Sequence, residues 1–289
     1  MRALRTVAEV RAALREPRRA GRVIGLVPTM GAFHDGHLSL MRRARRDCDE
    51  LVVSLFVNAA QFAEADDLRE YPRDERRDAM LAAQLGVDHL FAPAGEEIYP
   101  PGFDTTVSVG AITQTLEGAH RGYGHFDAVT TVLTKLFNIV SPDVAYFGHK
   151  DVQQTLVIKR LVRDLNIPVR IEVCPTMREP DGLAMSSRNV RLSAAERERA
   201  RALHRALAAA ERAVVEGERD PEAVKAPALR ELHAAGIEPE YLELVSAATL
   251  AAVPHLEGDV LAVLAARVGA TRLIDNQPLS TACTNHGRC

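Results

Sequence analysis

Up to residue 175 the chain alternates short apolar runs rich in β-branched residues with amphipathic stretches of helical period. No other feature restricts the fold as much. The apolar runs lie at residues 23–27, 51–57, 89–91, 144–147 and 169–173, and helical patterns at 38–46, 76–85, 128–139 and 153–165 separate them. Runs that are apolar on both sides suit strands buried on both faces, and a helix between successive strands is the crossover that parallel pairing requires. The expected fold class is therefore α/β, with a Rossmann-like parallel sheet in the N-terminal domain. In such sheets ligands gather beyond the carboxyl ends of the strands, here just after Val27, Val57, Phe147 and Val173.

The pattern changes after Arg188. A long Ala-, Glu- and Arg-rich helix is expected over 193–216, with Ser193 as N-cap and Glu196 in capping-box spacing. A second helix follows Pro221 and ends near Gly236, and short apolar runs at 241–245, 260–265 and 272–274 read as strands. This gives a smaller α+β C-terminal domain. The expected boundaries are 1–176 for the first domain and 177–277 for the second, with the polar, aperiodic residues 278–289 as a disordered tail.

Composition narrows the function classes. With 36 basic against 39 acidic residues the formal net charge is only −3, so neither nucleic acid nor an anionic membrane is the expected partner. The cluster Arg42, Arg43, Arg45 and Arg46 reads as the solvated face of a helix whose apolar side carries Leu38, Leu40 and Met41. Cys48, Cys174, Cys283 and Cys289 form no C-x-x-C pair, so reduced thiols in a cytoplasmic protein are expected. Residues 1–20 carry no apolar signal core, and no run of about 18 apolar residues occurs.

Four segments carry chemistry. Pro28-Thr29-Met30-Gly31-Ala32-Phe33-His34-Asp35-Gly36-His37 joins a strand to a helix and contains an H-x-G-H tetrad. A helix start offers unpaired N–H groups and a favourable dipole to an anion, and two imidazoles there add donors for phosphate oxygens. Taken alone the tetrad also suits an ordinary helix start; its place after the first strand of the alternating pattern favours nucleotidyl transfer. Met185-Ser186-Ser187-Arg188 is a polar loop able to close over phosphates, or simply a surface linker. Gly148-His149-Lys150-Asp151 ends another strand, with Lys150 as a phosphate cation and Asp151 as a candidate helix cap. Asn58 and Gln61 are neutral amides past an apolar strand, suited to the hydroxyl and carboxylate of a small hydroxy acid.

The order P-T-M-G-A-x-H-x-G-H, F-V-N-x-x-Q-F, Y-P-R, F-G-x-K-D-x-Q-Q, R-E-x-D-G-L-A-M-S-S-R-N closely resembles the pantothenate synthetases, from Val23 through Asn276. The resemblance implies an ATP-dependent ligase that joins pantoate to β-alanine through a pantoyl adenylate, releasing pyrophosphate and then AMP. It implies catalytic roles for His34, His37, Lys150 and Arg188, and an ATP site formed by these with Met30, Gly148, Asp151, Met177, Met185, Ser186 and Ser187. Gln61 and Gln154 would bind pantoate, with Asn58, Arg121 and His125 around them. Mg²⁺ would accompany ATP; its protein ligands are not legible, and Asp78 is the single candidate. A homodimer with a lid-like C-terminal domain is implied as well. The chain departs from the family pattern at Ala59-Ala60, where proline usually follows the asparagine, at His149, and in the segment 118–126, which is one residue longer than usual. Two other readings compete: a different H-x-G-H nucleotidyltransferase, against which the paired glutamines speak, and a catalytically silent nucleotide-binding protein, against which the retained histidines and Lys150 speak. A class I tRNA synthetase is not the expectation, because the chain is short, nearly neutral and shows no evident tRNA-binding appendage.

Overall fold

The computed structural model describes residues 1–62, 65–122 and 124–280. The chain divides into two compact units, Met1–Met177 and Arg178–Cys289. The first contains β1 (Arg2–Leu4), α1 (Val7–Ala13), α2 (Arg15–Arg19), β2 (Ile24–Thr29), α3 (Asp35–Asp47), β3 (Glu50–Leu55), α4 (Ala65–Arg69), α5 (Glu75–Gln84) and β4 (His89–Phe91). It continues with α6 (Gly95–Ile98), α7 (Glu117–Arg121), α8 (Gly124–Val140), β5 (Val144–Gly148), α9 (Val152–Asp164) and β6 (Arg170–Cys174). The strands form a parallel sheet in the order β1-β4-β3-β2-β5-β6.

Alternation along each strand divides the core between the two faces of the sheet. Ile24, Leu26, Val52, Phe91, Ala145 and Phe147 face Val10 of α1, Val129 and Leu133 of α8, and Ile158 of α9. Val27, Leu51, Val53, Leu90, Val144 and Tyr146 face Leu38, Met41 and Ala44 of α3 and Ala82 of α5. Met41 and Leu51 are fully buried, and each such side chain contributes about 1.5–3 kcal/mol of hydrophobic stabilisation. Successive strands step one way from β2 through β3 to β4, then the other way from β5 to β6. The order therefore reverses between β2 and β5, and the crevice at that switch point is where such sheets bind ligands.

The first strand and helix went unseen in the sequence. β1 has three residues, of which only Leu4 is buried, so it carries no readable alternation. It forms because β4 offers it a partner, with Arg2 opposite His89 and Leu4 opposite Phe91. Thr6 and Glu9 then close a capping box that starts α1. β3 ends at Leu55, where its pairing with Thr29 of β2 ends, not at residue 57.

The second unit holds α10 (Ala194–Val215), α11 (Pro221–Ala234), β7 (Pro239–Ser246), β8 (Asp259–Val268) and β9 (Thr271–Ser280). The strands form an antiparallel sheet in that order. Ala206, Leu207 and Ala210 of α10, Val224 and Leu232 of α11, and Leu242, Leu264 and Leu273 of the sheet share one core. Ser193 caps α10 and Glu196 completes the expected capping box. β9 runs three residues into the stretch read as tail: Pro278, Leu279 and Ser280 pair with Leu261, Val260 and Asp259. Leu279 is buried there, which a sequence window dominated by polar neighbours conceals. The rest of that stretch, with Cys283 and Cys289, lies outside the described residues.

Candidate active site

Because β3, β2 and β5 are adjacent and parallel, the loops after them emerge side by side at one edge of the sheet. The loop after β2 leads into α3. His34 is its N-cap: its Nδ1 accepts from the Gly36 N–H at 3.2 Å, while the His34 N–H donates to His37 Nδ1 at 3.5 Å. The two rings lie 4.1 Å apart, tilted by 36°. An imidazole whose Nδ1 accepts must, when neutral, carry its proton on Nε2. The reciprocal cap thus has both rings accepting at Nδ1, which puts the proton of each ring, when neutral, on Nε2. Burial, then the charges of His34 and Lys150, pushes His37 down to about 3, so it is neutral near pH 7. Lys150, which follows β5, is thereby close enough to act on a histidine that follows β2.

Backbone geometry holds this loop open. Gly31 and Ala32 both have positive φ, +83° and +53°. Their conformation aims the Ala32 and Phe33 N–H groups at the buried Asp78 carboxylate, at 2.7 and 2.8 Å. A Cβ on Gly31 would sit 3.0 Å from Asp78 Oδ2, so glycine is needed there.

The loop after β3 forms a 3-10 turn over Ala59–Gln61, so proline is not needed to make that turn. Asn58 is buried with every polar hydrogen used: its Nδ2 donates to Gln61 Oε1 and to Ala128 O, each at 3.2 Å, and its Oδ1 accepts from Tyr99 OH at 3.1 Å. Gln61 Nε2 points to Met30 Sδ at 3.1 Å, and His125 Nδ1 meets Gln61 O at 2.8 Å. Burial and the charge of Arg121 push His125 down to about 4. Met30, Asn58, Gln61 and His125, scattered over the sequence, are thus one contact group. Arg121 donates to Glu117 Oε2 at 2.6 Å within α7.

The adjacent glutamines have separate tasks. Gln153 is buried; it donates to Ile112 O and Thr115 O and accepts from the Glu117 N–H. It fixes α7 against α9, a role the sequence did not reveal. Gln154 is half-buried, and its side chain makes no hydrogen bond among the described residues. Asp151 does not cap α9 through its side chain, contrary to one expectation; it lies 3.7 Å from Lys150 Nζ.

In the second unit the Met185–Arg188 segment follows a tightly tied turn. Arg178 binds Asp275 through both terminal nitrogens, at 2.6 and 3.1 Å. Glu179 accepts from Asn189 Nδ2 at 2.8 Å, and both Glu179 and Asp181 pair with Arg197. Ser186 Oγ accepts from the Arg188 N–H at 3.3 Å and starts a 3-10 turn. Gly182, at φ +92°, leaves no room for a Cβ, which would strike His204 at 2.3 Å. Met177, at the end of the first unit, is exposed.

Residues 2–278 match the family model described as pantoate-beta-alanine ligase. The chain belongs to that family. The pantothenate synthetase of Cereibacter sphaeroides is 54% identical over 277 residues, 96% of this chain and 99% of that protein. The enzyme so named from Heliobacterium modesticaldum is 51% identical over 96% of this chain and 98% of its own length. Among solved structures, the pantothenate synthetase of Thermus thermophilus superposes with a TM-score of 0.92 at 46% identity, covering 96% of this chain and 99% of that one. The pantoate-beta-alanine ligase of Francisella tularensis, complexed with beta-gamma ATP and beta-alanine, superposes with a TM-score of 0.79 at 33% identity, covering 96% and 97%.

Membership in a pantoate–beta-alanine ligase family raises the question of metal. Asp78, the candidate ligand, does not fit: it is 1% exposed and both its oxygens accept backbone N–H groups. No group of three or more His, Cys, Asp or Glu side chains among the described residues is arranged to hold an ion. None of the described helices is long and apolar enough to cross a membrane.

Proposed function

We propose that this chain condenses pantoate with β-alanine at the expense of ATP, in two steps. A pantoate carboxylate oxygen attacks the α-phosphorus of ATP, and pyrophosphate leaves. The amine of β-alanine then attacks the acyl carbon of the bound adenylate, loses a proton, and AMP leaves. The observation that carries the reading is the reciprocal His34–His37 cap beside Lys150: two imidazoles, that of His37 neutral near pH 7, and a lysine at a helix start on the switch point of the sheet.

Charge builds on the α-phosphate and the leaving pyrophosphate in the first step. Preorganised donors aimed there stabilise that transition state more than the ground state. A neutral imidazole at the buried His37 costs less to bury than a cation, and the arriving phosphates supply the negative charge that raises its basicity. Pantoate is already ionised near pH 7, so no base is needed for attack. Gln61 and Gln154 present neutral amides to its hydroxyls and carboxylate, with Asn58 and His125 holding Gln61 in place and Arg121 nearby. Gly148, Asp151, Met30, Met177 and Met185 line the nucleotide in this reading, and Ser186, Ser187 and Arg188 hold its triphosphate. Mg²⁺ would accompany ATP and neutralise phosphate charge; Asp78, both of whose oxygens accept backbone N–H groups, is not assigned to it. In this reading residues 1–176 carry catalysis and 177–277 act as a lid, a division within a residue of the boundary between the two compact units at Met177. Family likeness supports a cytoplasmic homodimer, which light scattering on the purified protein tests.

The test of the reading is omission: purified protein with ATP, Mg²⁺, pantoate and β-alanine, each substrate left out in turn. AMP release that needs both pantoate and β-alanine is expected. Pyrophosphate release indifferent to pantoate would move the chain to another adenylyltransferase reaction.

A further inference from the structure

We propose that Asp78 and Arg77 of α5 are positioning residues that set the His34–His37 cap, and that this acidic position serves geometry in place of metal binding. The inference rests on the reading of that cap as the phosphate site. Three observations carry it. Asp78 is 1% exposed and spends one oxygen on each of two successive amides, Ala32 N–H and Phe33 N–H, at 2.7 and 2.8 Å. Arg77, the neighbouring residue, donates to Phe33 O at 3.2 Å. Three successive peptide groups, two through their N–H donors and the third through its carbonyl, are therefore gripped by one helix. The loop is also shaped for an anion: Gly31 and Ala32, at φ +83° and +53°, turn successive amides into a concave nest.

The nest is filled by a protein carboxylate, and what it fixes is the residue that follows. Phe33 is buried and immediately precedes His34, whose own amide then donates to His37. Any shift of the Phe33 peptide is passed directly to both imidazoles. Left-handed geometry at Ala32 costs strain, which charge-assisted hydrogen bonds to Asp78 offset. A carboxylate is required because the task needs two acceptors; an amide of the same shape brings an NH₂ group against an N–H donor. Asp74, which accepts from the Arg77 N–H at 2.9 Å, caps α5 and holds the gripping pair at its start.

The experiment compares wild type with Asp78→Asn, measuring pantoate-dependent pyrophosphate release against Mg²⁺ concentration. The ¹⁵N spectrum of histidine-labelled protein is recorded alongside. The expected result is a roughly tenfold to hundredfold fall in kcat, the loss typical of an ångström-scale misplacement, at an unchanged Mg²⁺ midpoint. The His34 and His37 resonances should move while those of His89 and His204 stay. Recovery of activity at high Mg²⁺ would overturn the proposal in favour of a metal ligand. So would a kcat within about twofold of wild type together with unmoved resonances. If Asp78→Asn does not fold, Arg77→Ala decides, with movement of the same two resonances expected and their constancy overturning the proposal. Should wild type fail to turn over pantoate, the functional reading falls while the spectrum still decides the positioning role.

Discussion

Two imidazoles share one helix start, and each is held by the other's backbone. His34 caps α3 through Nδ1 and His37 closes the return bond, so the motif is at once a capping box and a pair of aimed donors. His37→Ala is expected to lower pantoate-dependent pyrophosphate release about a hundredfold or more, the usual cost of removing one preorganised donor, with the circular dichroism spectrum unchanged. Gln61→Ala should raise the KM for pantoate far more than that for ATP; equal effects would contradict the pocket. Both histidine shifts also have a consequence for stability. His37 and His125, held at about 3 and about 4, bind a proton less readily folded than unfolded. Unfolding therefore takes up protons below the ordinary histidine value of about 6.5, and stability falls as pH drops from there toward 4 and then 3. Thermal melts at about pH 7 and about pH 5 check the sign: His125→Gln should lose less stability than wild type between them. At this scale His34, His37, Lys150 and Gln61 stand out in the sequence as candidates, because an unusual residue type beside a strand end is a local signal. The sequence could not show what the Asp78 oxygens bind, since the amides that donate to them lie more than forty residues away along the chain. It likewise concealed that Asn58 and Gln153 spend their amides on the protein itself.

Helices and strands were legible in proportion to how local their causes are. Ser193 and Glu196 are three residues apart, and the helix they start was readable to within a residue. Ser193→Ala removes the acceptor for the Glu196 N–H and should cost about 1 kcal/mol, measured as a lower urea midpoint with an unchanged slope. By contrast β1 exists through pairing with β4, almost ninety residues on, and its own three residues say nothing of it. The end of β9 was hidden for the same reason: Pro278 and Ser280 are polar or turn-forming in isolation, yet their register with β8 carries the strand through them. Asp151 shows the reverse error, a residue of good capping type at a helix start whose side chain makes no cap.

At the scale of the whole molecule, alternation of buried strands and covering helices was enough to predict a parallel sheet, but not its order. That order places the loops after β2 and β5 on either side of the reversal, and so makes one site of segments more than a hundred residues apart. Everything proposed for this site depends on the carboxylate of pantoate being activated as an adenylate. Turnover of pantoate labelled with ¹⁸O in its carboxylate tests that claim directly, by mass spectrometry of the AMP released. One carboxylate oxygen is expected to be carried into the phosphate of AMP in each turnover, because the acyl–oxygen bond is the one β-alanine breaks. AMP free of label, with amide product still formed, would contradict it.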